Sequence, residues 1–361
     1  MHLVIDDKIP YARGRAEQLG TADYLPGAAI TADDVRRADA LVVRTRTRCD
    51  RALLEGSRVR FIATATIGFD HLDTGYLREA GIGWTNCPGC NAGSVAQYVR
   101  NSLLLLEAEG RLRLGGCRVG IVGVGHVGSR VAAELRRWGC ELLLCDPPRL
   151  EGSVQMPAGV EVLCPARECT ATLADVARLA DVVTFHTPLV RTGPHATFHL
   201  AGPDFFRALR RRPVVINASR GEVVDTEALL HALDEGQAGP AVIDTWEHEP
   251  AIDLRLLRRA YLATPHIAGY SADGKAAGTR MALEAVAAHF GQPCRFGIAP
   301  PQLPAGYRYY PSVPVPSGCS AAAAECLRLY DPRRDSDALR TRPADFERLR
   351  GDYPLRREAD D

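Results

Sequence analysis

The chain has 361 residues, 46% of them apolar, a length for roughly two or three domains. Lys+Arg and Asp+Glu both number 44, so the formal net charge is zero and no field of one sign exists to gather nucleic acid or anionic lipid. No apolar run reaches the ~18 residues of a membrane span, and MHLVIDDKIPYARG has acids inside its first apolar run and no cleavable signal pattern. A cytoplasmic protein is expected, with neither nucleic acid nor membrane as partner.

In chain order, HLVID, DDVRRADA, LVVRT, FIATAT, TGYLREAG and IGWTNC alternate strand-like and helical runs, the order of parallel strands joined by crossover helices. From Ser94, SVAQYVRNSLLLLEAEG predicts a connecting helix with a serine start and a stop at Gly110. A second alternation follows: CRVGIVG, VGSRVAAELRRWG, ELLLCD, LADVARLA, DVVTFHTP, PVVINAS, DTEALLHALDEG, AVIDTW and YLATPHI. Two doubly wound α/β units in one chain is the economical interpretation.

The helical stretch GTRMALEAVAAHFG is succeeded near Gly291 by QPCRFGIAPPQLPAGYRYYPSVPVPSG, rich in proline and glycine, which marks a boundary. Beyond it the composition leaves a small helix-containing module and a partly ordered tail both open. There is no fixed-period repeat. Eleven cysteines are scattered, several in apolar runs such as LLLCD, so reduced thiols are expected. Cys87 and Cys90 have CxxC spacing, but no second pair follows at zinc-site distance; a tight turn is preferred and no metal is expected.

Gly123, Gly125 and Gly128 form GxGxxG directly after a strand and at the mouth of a helix, the context that makes this motif informative. The glycines permit the turn, the approach of a pyrophosphate and close strand–helix contact, with His126 and Val127 lining the same loop. Asp146 ends the next apolar run, 18 positions beyond Gly128, near the ~20 expected for the acid that holds an adenosine ribose. A carboxylate there accepts from a free 2′-hydroxyl and repels a 2′-phosphate, favouring NAD over NADP. The plainer alternative is a strand-end acid before Pro147 and Pro148.

Three later stretches, NASRGEVVDTEALL, IDTWEHEP and TPHIAGYSADGK, carry Arg220, Glu249 and His266. Singly, Arg220 could pair with Asp225 in a surface turn, Glu249 could be a solvated loop acid, and His266 could close a corner beside Pro265. Together with the glycine loop and FHTPL at 185 to 189, they resemble the D-isomer-specific 2-hydroxyacid dehydrogenases over nearly all of residues 1 to 290. The resemblance implies that Arg220 binds the substrate carboxylate, Glu249 orients the histidine, and His266 carries the proton. Physical chemistry supports that division: a planar guanidinium holds a carboxylate and its neighbouring oxygen by parallel hydrogen bonds, and a carboxylate on one imidazole nitrogen selects the tautomer and raises basicity at the other.

The resemblance further implies that Thr187, Ala218, Ser219, Arg220, Asp244 and Gly269 touch the nicotinamide half of NAD, and that two Rossmann-like lobes flank an inter-lobe cleft. Expected segments are 1–93 with 267–290 for the substrate lobe, 94–266 for the NAD-binding domain, and 291–361 for a small α+β module serving a homodimer. DDKIPYARG, ATATIGFDHLD, PGCNAGSVAQYV, LLCDPPR, HIAGYSADGKAAGT and LYDPRRDSDALR are similar to the branch of the family that acts on a phosphorylated four-carbon hydroxy acid. By that likeness Thr45, Thr66 and Tyr270 contact substrate. A phosphate also needs cations, and VVRTRTRCD offers Arg44, Arg46 and Arg48 at period two, on one face if the run is extended. Arg44 is favoured, with Lys275 a second candidate. Thr45 stands where that branch carries serine and Thr245 where valine is usual. The competing readings are a dehydrogenase for 3-phosphoglycerate or glyoxylate/hydroxypyruvate, and an NAD(H)-sensing corepressor-like binding protein.

Overall fold

The computed structural model describes residues 1–154, 163–292, 294–354 and 356–359. Two compact units emerge: Met1–Asn91 with Ser271–Gln302, and Ala92–Tyr270 with Leu303–Asp361.

In the first unit, β1 (His2–Asp6), β2 (Thr21–Leu25), β3 (Ala40–Val43), β4 (Phe61–Thr64) and β5 (Gly83–Thr85) form a parallel sheet in the order β2-β1-β3-β4-β5. Side chains alternate across it, so Leu3 and Ile5 enter one core while Val4 enters the other. The helix Ala272–His289 covers the first of these faces with Leu283, Val286 and Ala287. A Cβ at Gly278 would sit 2.9 Å from the Ala65 carbonyl oxygen, so glycine lets this helix approach the end of β4. Strand β2 was not expected from TADYL: it is an edge strand whose residues are exposed or half-buried, and it lacks the apolar run of a central strand.

The second unit holds β6 (Arg118–Val122), β7 (Glu141–Cys145), β8 (Val182–Phe185), β9 (Val214–Asn217), β10 (Ala241–Ile243) and β11 (Leu262–Ala263), parallel in the order β11-β10-β9-β8-β6-β7. The strand order reverses at β6, whose neighbours are β7 and β8, and the glycine loop leaves β6 at that reversal, where α/β sheets bind ligands. The helices Ala92–Ala108 and His126–Arg137 pack on one face through Val95, Tyr98, Val99, Val131 and Leu135. The helices Leu173–Leu179, Pro203–Ala208, Thr226–Asp234 and Leu254–Arg259 cover the other.

The connecting helix begins at Ala92, not at the expected cap Ser94, which is buried inside it and donates to Glu358 Oε1 at 2.8 Å. Its stop at Gly110 has the left-handed φ of 69°. The carboxy-terminal segment also differs from an independent α+β module. Among the described residues from 303 onward there are helices but no strand, and Pro304, Pro311, Pro314 and Pro316 interrupt the row of N–H groups that a ladder would use. Tyr309, Leu327 and Tyr330 complete one core of the second unit, while Leu339 and Phe346 complete the other. Each such burial is worth about 2 kcal/mol. Arg356, fully buried, fastens the end of the segment by donating to Gln97 Oε1 (2.9 Å), Ser94 O (2.6 Å) and Ile267 O (3.2 Å).

Candidate active site

The glycine loop follows from β6. Gly123 has φ +86°, and a Cβ there would lie 2.8 Å from the His186 backbone and from Thr187 Cγ2, so only glycine fits. A Cβ at Gly128 would overlap the Gly123 carbonyl oxygen, which lets the helix start directly against the loop. Gly125 is the N-cap of that helix and supplies no side chain to its first N–H groups. Asp146, at the end of β7, accepts from Val124 N (2.8 Å) and Arg149 N (3.2 Å), so the acid is fixed beside the loop. The buried Arg149 guanidinium donates to the Val124 and Cys164 carbonyls and braces the loop from behind.

This cradle fits a dinucleotide. Thr187 Oγ1 and His126 Nε2 are buried without a hydrogen-bond partner, groups that a bound polar ligand would satisfy. Burial, then the Arg149 charge, holds His126 below the usual histidine range, so it offers a neutral ring to the loop. Val127 is half-buried against the core.

The remaining groups sit at the carboxyl ends of β9, β10 and β11. Asn217 closes the loop after β9: its Nδ2 donates to Arg220 O (2.9 Å), and its Oδ1 accepts from Ser219 Oγ (2.9 Å) and Ser219 N (3.2 Å). Arg220 is half-buried, with Nη1 donating to Ser219 O at 2.8 Å, and Ala218 packs against the core. A Cβ at Gly221 would overlap the Trp246 carbonyl, so glycine brings the arginine loop against the loop that carries Glu249. Asp225 caps the helix Thr226–Asp234 and pairs with His199.

Glu249 joins two partners. Its Oε1 accepts from Trp246 N at 2.9 Å, and its Oε2 accepts from His266 Nδ1 at 2.8 Å. Burial, the largest influence, pushes the carboxyl up, but the His266 charge and hydrogen bond, the Trp246 N–H and Arg350 bring it below its usual range. His266 is a corner residue as well, with the left-handed φ of 55° and N–H bonds to Asp244 O and Thr264 O. A β-carbon held at positive φ costs of order 1 kcal/mol, and the surroundings here hold it firmly.

Asp244 maintains that corner. Fully buried, it accepts from Thr264 Oγ1 (2.7 Å), Ile267 N (2.8 Å) and Ala268 N (2.9 Å), and Tyr98 OH donates to Thr264 Oγ1 at 2.9 Å. Burial raises its carboxyl above the usual range, although these bonds and His266 act against it. Gly269 and Tyr270 close the same turn through Tyr270 N to Ile267 O at 2.8 Å. Asn217, Tyr98, Thr264 and Trp246 went unnoticed in the sequence; Asn217 alone carried a signal, as the first residue of NASRG.

In the first unit, β3 ends at Val43, and Thr47 N returns to Arg44 O at 3.1 Å. Arg44, Arg46 and Arg48 therefore do not share a face of an extended run as expected; a turn intervenes. Arg44 pairs with the buried Asp6 at 3.2 Å, and Arg48 with Asp50. Lys275, on the helix Ala272–His289, is held below the usual lysine range by burial and then by the Arg44 charge, so two cations crowd together there. Thr45 is exposed on the turn, and Thr66 donates to Gly68 O at 2.9 Å. Cys90 N to Cys87 O closes the tight turn, with Cys87 Sγ donating to Gly278 O at 3.2 Å.

Residues 94–268 match the family described as D-isomer specific 2-hydroxyacid dehydrogenase, NAD binding domain. Proteins named erythronate-4-phosphate dehydrogenase from Bacteroides fragilis and Bacteroides thetaiotaomicron are 51% and 47% identical, each alignment spanning 99% of this chain and 97% of the relative. The crystal structure of an Aquifex aeolicus D-lactate dehydrogenase complexed with NAD and lactic acid shares the fold at TM-score 0.64 and 22% identity, covering 81% of this chain and 96% of that one. The chain belongs to the D-isomer specific 2-hydroxyacid dehydrogenase family and carries its NAD-binding domain.

Proposed function

We propose that this chain oxidises 4-phospho-D-erythronate to (R)-3-hydroxy-2-oxo-4-phosphooxybutanoate with NAD, a step in pyridoxal 5′-phosphate synthesis. The substrate is the one named by relatives that align over nearly the whole chain. The chemistry rests on one observation, the 2.8 Å bond from His266 Nδ1 to Glu249 Oε2.

Gly123, Gly125, His126, Val127 and Gly128 would hold the pyrophosphate of NAD and Asp146 its adenosine ribose. Thr187, Ala218, Ser219, Asp244 and Gly269 would line the nicotinamide half. When bound, NAD supplies the acceptor for the hydride that leaves C2. Arg220 grips the substrate carboxylate and the C2 oxygen, fixing the carbon for transfer. His266 takes the hydroxyl proton at Nε2 while Glu249, bonded at Nδ1, stabilises the cation that forms on the ring. Thr45, Thr66 and Tyr270 contact the substrate, and Arg44 with Lys275 receives its phosphate, for which their crowded charges speak.

The chain is further read as a cytoplasmic homodimer using residues 291–361 for contact. The compartment accords with eleven free cysteines, and no helix among the described residues is long and apolar enough to cross a membrane. Sedimentation equilibrium of the full chain checks the dimer: twice the chain mass is expected, and the monomer mass at every concentration would overturn it. Initial rates with NAD and each of 4-phospho-D-erythronate, 3-phosphoglycerate and D-glycerate test the substrate. The first should lead in kcat/KM by about a hundredfold. Turnover of 3-phosphoglycerate without turnover of 4-phospho-D-erythronate would overturn the assignment.

A further inference from the structure

The carboxy-terminal segment reaches the histidine–glutamate pair. Its helix Phe346–Gly351 is anchored by Phe346, which is buried in the core shared with β8, β9 and β10. Four residues along, Arg350 extends a side chain only one-fifth exposed and places Nη1 3.7 Å from Glu249 Oε2. That oxygen is the one bonded to His266 Nδ1. The Arg350 guanidinium also donates to the Tyr270 hydroxyl, and the Tyr270 ring meets Tyr353 edge-on at 5.8 Å.

We propose that Arg350 is a positioning residue of this active site: it holds the Glu249 carboxylate and the Tyr270 hydroxyl in place, and its fixed charge acts on His266 through that carboxylate. The inference rests on the acid–base reading of His266 given above. Two physical arguments carry it. A carboxylate as enclosed as Glu249 needs a positive charge beside it, and a guanidinium supplies one at every working pH. The same fixed charge lies against the acid that orients the ring, so removing it changes the field at His266.

The charged and titratable groups around the pair are few. Arg350 comes from the carboxy-terminal helix, Tyr270 from the turn after His266, and Asp244 from the end of β10, where it is buried and interacts with both His266 and Arg350. Arg220 is carried by the neighbouring loop after β9. Burial works against the charge on Arg350, and Tyr270, Glu249 and Asp244 together more than restore it.

The experiment is the pH dependence of kcat/KM for 4-phospho-D-erythronate at saturating NAD in wild type, Arg350→Met, Arg350→Lys and His266→Gln, with thermal melts for each. Removing the cation favours the protonated ring, so Arg350→Met should move the acidic limb up by about half to one pH unit and raise KM several-fold through Tyr270. Arg350→Lys keeps the charge and should return the limb to within a few tenths of a unit. Should Arg350→Met fail to fold, Arg350→Gln carries the same neutral comparison. A folded neutral variant with an unmoved limb overturns the proposal, provided that His266→Gln has lost turnover. Wild-type turnover in His266→Gln would instead overturn the acid–base reading and this inference with it.

Discussion

His266 Nδ1 donates to Glu249 Oε2 at 2.8 Å, which fixes the tautomer and leaves Nε2 as the ring atom for the substrate proton. The bond joins the residue that opens the turn after β11 to an acid 17 positions earlier in the loop after β10. Because both loops are themselves tied down, by Asp244 on one side and Trp246 on the other, the pair is held before any ligand arrives.

Arg220→Lys keeps the charge and removes the planar pair of donors. Steady-state kinetics should give a kcat/KM lower by about 10–100-fold for the hydroxy acid, with NAD affinity by fluorescence titration nearly unchanged. Equal loss of both would mean that the arginine supports the nucleotide loop and not the substrate.

Asp146→Asn removes the negative charge and keeps one acceptor oxygen, enough for one of the Val124 N and Arg149 N bonds that the two carboxylate oxygens now accept. The ratio of kcat/KM for NAD over NADP should fall by about 10–100-fold, less than an unscreened charge pair would give. An unchanged ratio would leave Asp146 as a brace of the loop alone.

The two cations of the first unit are tested by Arg44→Met and Lys275→Met, separately and together. Each should raise KM for 4-phospho-D-erythronate by about tenfold while leaving kcat/KM for unphosphorylated D-erythronate within a factor of about two. A similar loss on both acids would contradict a phosphate role.

Asp335 provides a test of stability and not of the chemistry. Burial, the largest influence, pushes it up to about 6, although Tyr309, Tyr330 and Tyr353 donate to it and Arg356 lies nearby. Its folded value exceeds the ~3.9 of an unfolded aspartate, so the folded chain alone holds the proton between those values and stability falls as pH rises through that window. Urea unfolding at pH 4 and pH 7 should show wild type losing about 2 kcal/mol relative to Asp335→Asn, which has no proton to release. A constant difference between the two would refute a neutral buried acid.

Much of this architecture was legible because repeated physical constraints leave repeated marks. Central strands such as LVV and VVIN are buried on both faces and read as unbroken apolar runs, and the glycine loop is spelled out by positions where a Cβ would collide. Edge strand β2 left no such mark, since TADYL is only half-buried. Likewise, Ser94 looks like a cap in sequence but lies buried inside its helix because the carboxy-terminal segment docks on it. Arg350 was invisible for a similar reason. ERLRGDYPLRRE resembles a solvated basic stretch until folding sets one of its arginines against Glu249. The segment's place in the second unit follows from aromatic and aliphatic residues scattered too widely to show a period.

The most direct test of the central claim is a single-turnover measurement of NADH formation from 4-phospho-D-erythronate and enzyme-bound NAD in wild type and in His266→Gln. The account predicts a rate lower by about 10²–10⁴-fold in the variant, with NAD binding retained. Equal rates of NADH formation would show that His266 does not carry the proton and would contradict it.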